Sequence, residues 1–223
     1  MTKLQFFEAE TLLKEPPKKL MVFLHGYGAN GQDLISLAGF FKDALPSAHF
    51  ISPNAPFKLE NIFMEGYQWF SLENRDLQVM GPQVLHANDI LNQFLDEQLQ
   101  KLNLTRKDLI LCGFSQGAMM AMFNALEHQE KAAAVIAYSG KLILPTMLGK
   151  KINSKPKICL VHGRQDDVVP FENFVEAEEI LSDQKIDFES SAIDGLAHGI
   201  NEECVEIGKS FVETAMIQKM TSS

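Results

Sequence analysis

The sequence is poor in several things, and each shortage excludes something. It has three cysteines, Cys112, Cys159 and Cys204, in 223 residues. An odd count without regular spacing is not a disulfide framework and suits a reducing compartment. No cysteine and histidine cluster has the spacing of a metal site, so no metal is expected. No run is long and apolar enough to span a bilayer, so no stable membrane insertion is expected. The residues from Met1 to Glu8 lack the apolar stretch and small-residue cleavage site of a secretory leader. A cytoplasmic location is expected. Positive charge is short as well: 20 Lys and Arg stand against 29 Asp and Glu, a net charge of −9. That disfavours nucleic acid or an anionic membrane as the main partner. No internal repeat or composition break divides the chain, and residues 1–223 are expected to form one domain.

What is present alternates between two kinds of segment. Lys3 to Glu10 and Lys19 to His25 read as strands separated by Lys14-Glu15-Pro16-Pro17-Lys18, a turn that two prolines keep out of helix and central strand. They are expected to form an antiparallel pair near one sheet edge. Leu20 to Leu24 is continuously apolar, as in a strand covered on both faces. Further strands are expected at His49–Ser52, Asp108–Cys112, Ala133–Tyr138, Lys157–His162 and Asp187–Ile193. Helices are expected at Asp33–Leu45, at Pro82–Leu102, after residue 117, from Pro170 with Phe171, Phe174, Val175 and Leu181 inward, and after Asn201 as N-cap. Strands alternating with helices predict an α/β fold, a mostly parallel twisted sheet with helices on both faces.

Three loops at strand ends carry candidate chemistry. Gly113-Phe114-Ser115-Gln116-Gly117 follows a short apolar strand and opens a strong helix former. Strand, tight glycine turn and helix are the context a nucleophile elbow requires, with Ser115 clear of the backbone. The helix N-terminus then points amides at the place where an oxyanion would form. His25-Gly26-Tyr27-Gly28-Ala29-Asn30-Gly31 follows the second strand. It lacks the spacing and the lysine of a phosphate-binding loop, and an oxyanion loop fits it better. His25 itself is expected to be structural.

A serine hydroxyl needs a base, and the base a carboxylate. After an elbow the chain order is serine, acid, histidine. Only His198, in Asp194-Gly195-Leu196-Ala197-His198-Gly199, follows the acid candidates. Asp166 and Asp167 share the end of one strand, and residue type and position leave either as the acid. The long segment from Pro53 to Gly81 has no clear period but carries Phe57, Phe63, Met64, Tyr67, Trp69 and Phe70. It is expected to pack over the active-site face, with Met64, Trp69 and Phe70 lining an apolar pocket.

These residues resemble the phospholipase/carboxylesterase family of α/β-hydrolases, which includes acyl-protein thioesterases and small bacterial carboxylesterases. The resemblance covers nearly the whole chain. It rests on His25-Gly26-Tyr27-Gly28, Tyr67-Gln68-Trp69-Phe70, Gly113-Phe114-Ser115-Gln116-Gly117, His162-Gly163 with Asp166-Asp167-Val168-Val169-Pro170, and the His198 loop. It implies Asp166 as the acid and the backbone N–H groups of Tyr27 and Gln116 as the oxyanion hole. It places Trp69-Phe70 beside the active site and requires no cofactor. It implies hydrolysis of carboxylic esters with short to medium acyl chains. An acyl-protein thioesterase or lysophospholipase would use the same triad, and a non-catalytic hydrolase-like binding module is the remaining alternative. The substrate is then a small or acylated molecule. The oligomeric state is left open, since an exposed apolar loop could serve a homodimer as well. One position departs from the family pattern: Ala197 stands where glycine is usual, and a positive φ there would strain the loop.

Overall fold

The computed structural model describes residues 3–9, 15–59, 65–74 and 76–220. Met64 and Phe63 therefore lie outside the described residues. Seven strands form one sheet: β1 (Phe6–Glu8), β2 (Lys19–Leu24), β3 (Ala48–Pro53), β6 (Leu109–Phe114), β7 (Ala134–Tyr138), β8 (Ile158–Gly163) and β9 (Phe188–Ile193). Their spatial order is β1-β3-β2-β6-β7-β8-β9. Every neighbouring pair is parallel except β1 with β3. The short strands β4 (Phe57–Lys58) and β5 (Tyr67–Gln68) pair with each other apart from this sheet.

The N-terminal strand does not pair with β2 as expected. It runs antiparallel to β3, with Phe7 opposite Ser52. Both edges of β2 are already occupied, by β3 and β6. Its apolar run does what such a run requires: Leu20, Val22 and Leu24 face one core, and Met21 and Phe23 the other.

Helices α3 (Leu77–Lys101), α4 (Gln116–Glu127) and α5 (Glu172–Asp183) cover the first core. Helices α2 (Ala38–Phe41) and α6 (Glu202–Met220) cover the second. The helix expected over Asp33–Leu45 is two pieces, α1 (Gly31–Ile35) and α2. The Ser36 hydroxyl donates to the Asp33 carbonyl at 2.7 Å, a local bond that competes with helix continuation. Helix α3 starts five residues before Pro82, on an Asp76 cap whose carboxylate accepts from the Gln78 N–H at 2.9 Å. Pro82 costs that helix one backbone bond in its second turn without ending it. On α5, Phe174 and Leu181 are buried but Val175 is turned out to solvent, one position off their stripe. Asn201 accepts from the Cys204 N–H at 3.0 Å, the expected cap of α6. No helix among the described residues is long and apolar enough to cross a membrane.

Candidate active site

The carboxyl ends of β6, β8 and β9 carry the residues of interest to one place. Ser115 sits between β6 and α4 with φ 54° and ψ −119°, a region that side chains rarely occupy. Its N–H is held by the Tyr138 carbonyl at 2.9 Å. Two residues on, Gly117 lies so close to the Leu24 and His25 carbonyls that a Cβ there would overlap them. The elbow is therefore wedged against the end of β2, and only glycine fits.

His198 lies in the loop after β9. Its Nε2 is 3.0 Å from Ser115 Oγ, and its Nδ1 is 2.7 Å from Asp166 Oδ2. The imidazole stacks at a tilt on Phe114, with ring centroids 4.8 Å apart. Close approach of this loop to β8 depends on Gly163, where a Cβ would strike the Leu196 and Ala197 backbone. The Gln165 N–H then donates to the Leu196 carbonyl at 3.0 Å. Ala197 is not among the residues with positive φ; Gly195, at +75°, makes the turn instead. The departure from the family pattern therefore strains nothing.

Asp166 is buried, while Asp167 is exposed. The Asp166 Oδ1 accepts from the Val168 and Val169 N–H groups at 3.0 and 2.8 Å, leaving Oδ2 to face His198. Residue type and position leave the two aspartates equivalent, the family resemblance implies Asp166, and the structure brings only Asp166 to the histidine. Asp167 does not cap α5 either, since that helix has no side-chain cap.

Sequence reasoning passed over His162, which precedes the acid and so fails the order test for a base. It is nonetheless buried against Asp166. Its Nε2 lies 2.8 Å from the Val169 carbonyl and 3.3 Å from Asp166 Oδ2. Burial lowers its pKa below the usual histidine value. The signals in the sequence were its place four residues before the aspartate and in the His162-Gly163 motif of the family resemblance.

The loop after β2 approaches from the other side. His25 is buried; its Nδ1–H donates to the Gly26 carbonyl at 2.7 Å and its Nε2 accepts from the Ala55 N–H at 2.9 Å. Burial lowers its pKa, which fits a neutral ring with one fixed tautomer. The Gly28 N–H bonds the Tyr67 carbonyl at 2.9 Å, tying the loop to β5. The Tyr27 N–H makes no loop hydrogen bond among the described residues. Gln116 is the first residue of α4, so its N–H has no carbonyl one turn behind it.

The side chain of Gln116 has a second task. Its Oε1 accepts from the Trp69 N–H at 2.8 Å and its Nε2 donates to the Phe70 carbonyl at 2.7 Å. The Trp69 indole N–H donates to the His25 carbonyl at 3.0 Å. Trp69 is wholly buried and does not line the cavity beside Ser115, contrary to the expectation for it. Trp69 thus ties the β2 loop to the elbow, its indole bonding the loop and its main chain bonding Gln116. Phe70 borders the cavity, though it is as buried as Trp69.

That cavity, about 480 Å³, holds Ser115, Gln116, Tyr27 and His198 in its wall. The rest of the wall is mainly apolar, with Leu72, Leu77, Met80, Met119, Leu142 and Met147. Met119 and Leu142 were not foreseen. Met119 reads as a core position of α4, and Leu142 stands in a segment without period.

A model of the phospholipase/carboxylesterase family matches residues 11–216. The chain is 26% identical to acyl-protein thioesterase 1 of Saccharomyces cerevisiae over 217 residues, covering 91% of this chain and 95% of that one. It is 26% identical to the esterase YpfH of Escherichia coli K12, over 86% of this chain and 81% of that one. The crystal structure of esterase PE8 matches with a TM-score of 0.87 and 36% identity, covering 96% of this chain and 99% of that one.

Proposed function

The chain belongs to the phospholipase/carboxylesterase family, an enzyme of the carboxylesterase and acyl-protein thioesterase type, and from that premise we propose that it hydrolyses carboxylic esters of short to medium acyl chains through Ser115, His198 and Asp166. His198 Nε2 takes the Ser115 proton as Oγ attacks the carbonyl. Asp166 holds the Nδ1–H tautomer and stabilises the imidazolium. The N–H groups of Tyr27 and Gln116 receive the oxyanion of the tetrahedral intermediate. His198 then protonates the leaving group. A water molecule that gives its proton to His198 opens the acyl-enzyme, and Ser115 recovers its proton.

One observation carries the proposal: the unbroken hydrogen-bond chain from Ser115 Oγ through His198 to a buried carboxylate, at the wall of an apolar cavity. The names of the yeast and other relatives favour a thioester of an acylated protein as a second substrate class. The same groups would serve it, with a thiolate leaving in place of an alkoxide.

The test is hydrolysis of p-nitrophenyl esters from acetate to palmitate by wild type and Ser115→Ala. Turnover is expected to fall on the order of 10⁶-fold in the variant. Equal turnover in both would end the proposal. A thioester series run in parallel separates the two substrate classes.

A further inference from the structure

We propose that His162 is a positioning residue for the reaction: its Nε2–H donates to the Val169 carbonyl and stands 3.3 Å from Asp166 Oδ2, and so holds the turn that keeps the carboxylate in line with His198. The inference deepens the assignment of Ser115, His198 and Asp166 proposed above and rests on it.

Both atoms within reach of His162 Nε2 are acceptors, the Val169 carbonyl at 2.8 Å and Asp166 Oδ2 at 3.3 Å. Nε2 must therefore carry a proton. The carboxylate is caught from two sides. Val168 and Val169 N–H hold Oδ1, His198 holds Oδ2 by a hydrogen bond, and the His162 Nε2–H faces Oδ2 as an electrostatic contact. Val169 is caught at both its N–H and its carbonyl, so the turn from Asp166 to Val169 closes on itself through the His162 ring. With no His162, the buried Val169 carbonyl loses its side-chain donor, the turn that holds Oδ1 loses its closure, and Oδ2 loses a facing N–H dipole. Rotation of the carboxylate about its own bond is then opposed by fewer contacts.

The surroundings of the ring suit this task and no other. His162 packs against Phe171 and Phe174, with centroids 6.2 and 5.8 Å away. Burial lowers its pKa and outweighs the Val169 hydrogen bond and the Asp166 charge, which pull the other way. A neutral ring donates one hydrogen bond without competing as a cation for Asp166, so the field of the carboxylate remains directed at the His198 imidazolium. His162 touches neither Ser115 nor the cavity among the described contacts.

The experiment compares wild type, Ser115→Ala, His162→Leu, His162→Gln and His162→Asn for kcat, KM and thermal midpoint on one p-nitrophenyl ester. Glutamine reaches as far as Nε2 and keeps a donor there; asparagine falls one methylene short; leucine fills the apolar site and donates nothing. The expected result is a kcat loss of about 100-fold for leucine and asparagine, the scale of a misplaced reacting group, with KM within about twofold. Glutamine is expected within about fivefold of wild type. Leucine is expected to melt no lower than glutamine, because it suits the aromatic surroundings better. Activity and stability then rank in opposite orders, which a packing role cannot produce. Equal kcat for glutamine and leucine, or kcat that follows the thermal midpoint, overturns the proposal. Should the leucine variant fail to fold, equal kcat for glutamine and asparagine does the same. An active Ser115→Ala would instead sink the underlying assignment, whatever the His162 variants do.

Discussion

At the scale of single residues, the two neighbouring aspartates are the sharpest contrast. Asp166 is buried with both oxygens engaged, and Asp167 is exposed. Asp166→Asn preserves the shape but offers His198 the wrong partner for a stable Nδ1–H tautomer. Its kcat is expected to fall on the order of 10⁴-fold. Asp167→Asn is expected to leave kcat within about twofold, as a change at the surface away from substrate should. Steady-state kinetics on the pair checks both, and similar losses would mean that the acid has been misassigned. Trp69 makes a second residue-scale claim. Its indole N–H holds the His25 carbonyl, one step from the loop that carries the Tyr27 N–H. Trp69→Phe removes that donor and keeps most of the buried ring. We expect kcat to fall about tenfold, the scale of about 1.4 kcal/mol from a lost hydrogen bond, with acyl-chain preference unchanged. A changed preference would return Trp69 to the substrate wall. The cysteines complete this scale. All three are buried, and burial pushes the Cys159 thiol up to about 12. Such thiols are poor nucleophiles, so the native protein is expected to resist a disulfide reagent until it unfolds.

At the scale of elements, the helix that presents Ser115 is anchored far from the cavity. Arg106, 3% exposed, donates to Asp96, Asn92 and Asn124, which tie α3 to α4. Asn124 in turn donates to Asn88 and Asn92. Arg106→Ala leaves the buried Asn124 Oδ1 without its donor and removes one of the two donors to Asn92 Oδ1. The expected destabilisation is about 3 kcal/mol in urea unfolding, with the folded fraction retaining wild-type kcat. A loss of kcat in folded protein would show that the network reaches the site. No period in the sequence announces this network, because its members are polar residues on faces that a hydrophobic pattern counts as solvent. The same limit governs the rest of the comparison. Strand and helix order was legible because apolar runs and stripes mark what is buried. Strand partners were not: the choice of β3 as the neighbour of β1 depends on which edges are free in three dimensions. Ser115 and His198 were legible as candidates from a turn and a chain order, both local or sequential facts, and the structure brings them within 3.0 Å. Trp69 could not be placed, since an aromatic residue in a long loop reads the same whether it meets substrate or holds a backbone carbonyl.

At the scale of the whole molecule, a net charge of −9 surrounds an apolar cavity whose rim includes the exposed side chains of Tyr27, Leu77, Met147 and Val168. A negative surface repels anionic leaving groups and anionic lipid without affecting a neutral acyl chain. Selection among neutral esters therefore falls to burial of the chain. Each methylene that leaves water for the cavity contributes about 0.8 kcal/mol, so kcat/KM is expected to rise by up to about fourfold per added carbon. The rise must stop when the cavity of about 480 Å³ is filled. Longer chains then project past the rim into solvent and gain little. The predicted profile over p-nitrophenyl acetate to palmitate climbs to a medium chain and levels. Met119 offers a check, since its side chain forms part of the wall. Met119→Trp shortens the available space without touching Ser115, His198 or Asp166, and should move the plateau to shorter chains while acetate turnover stays within about twofold. A flat series in wild type, or a variant that lowers every ester equally, would mean that this cavity does not hold the acyl chain.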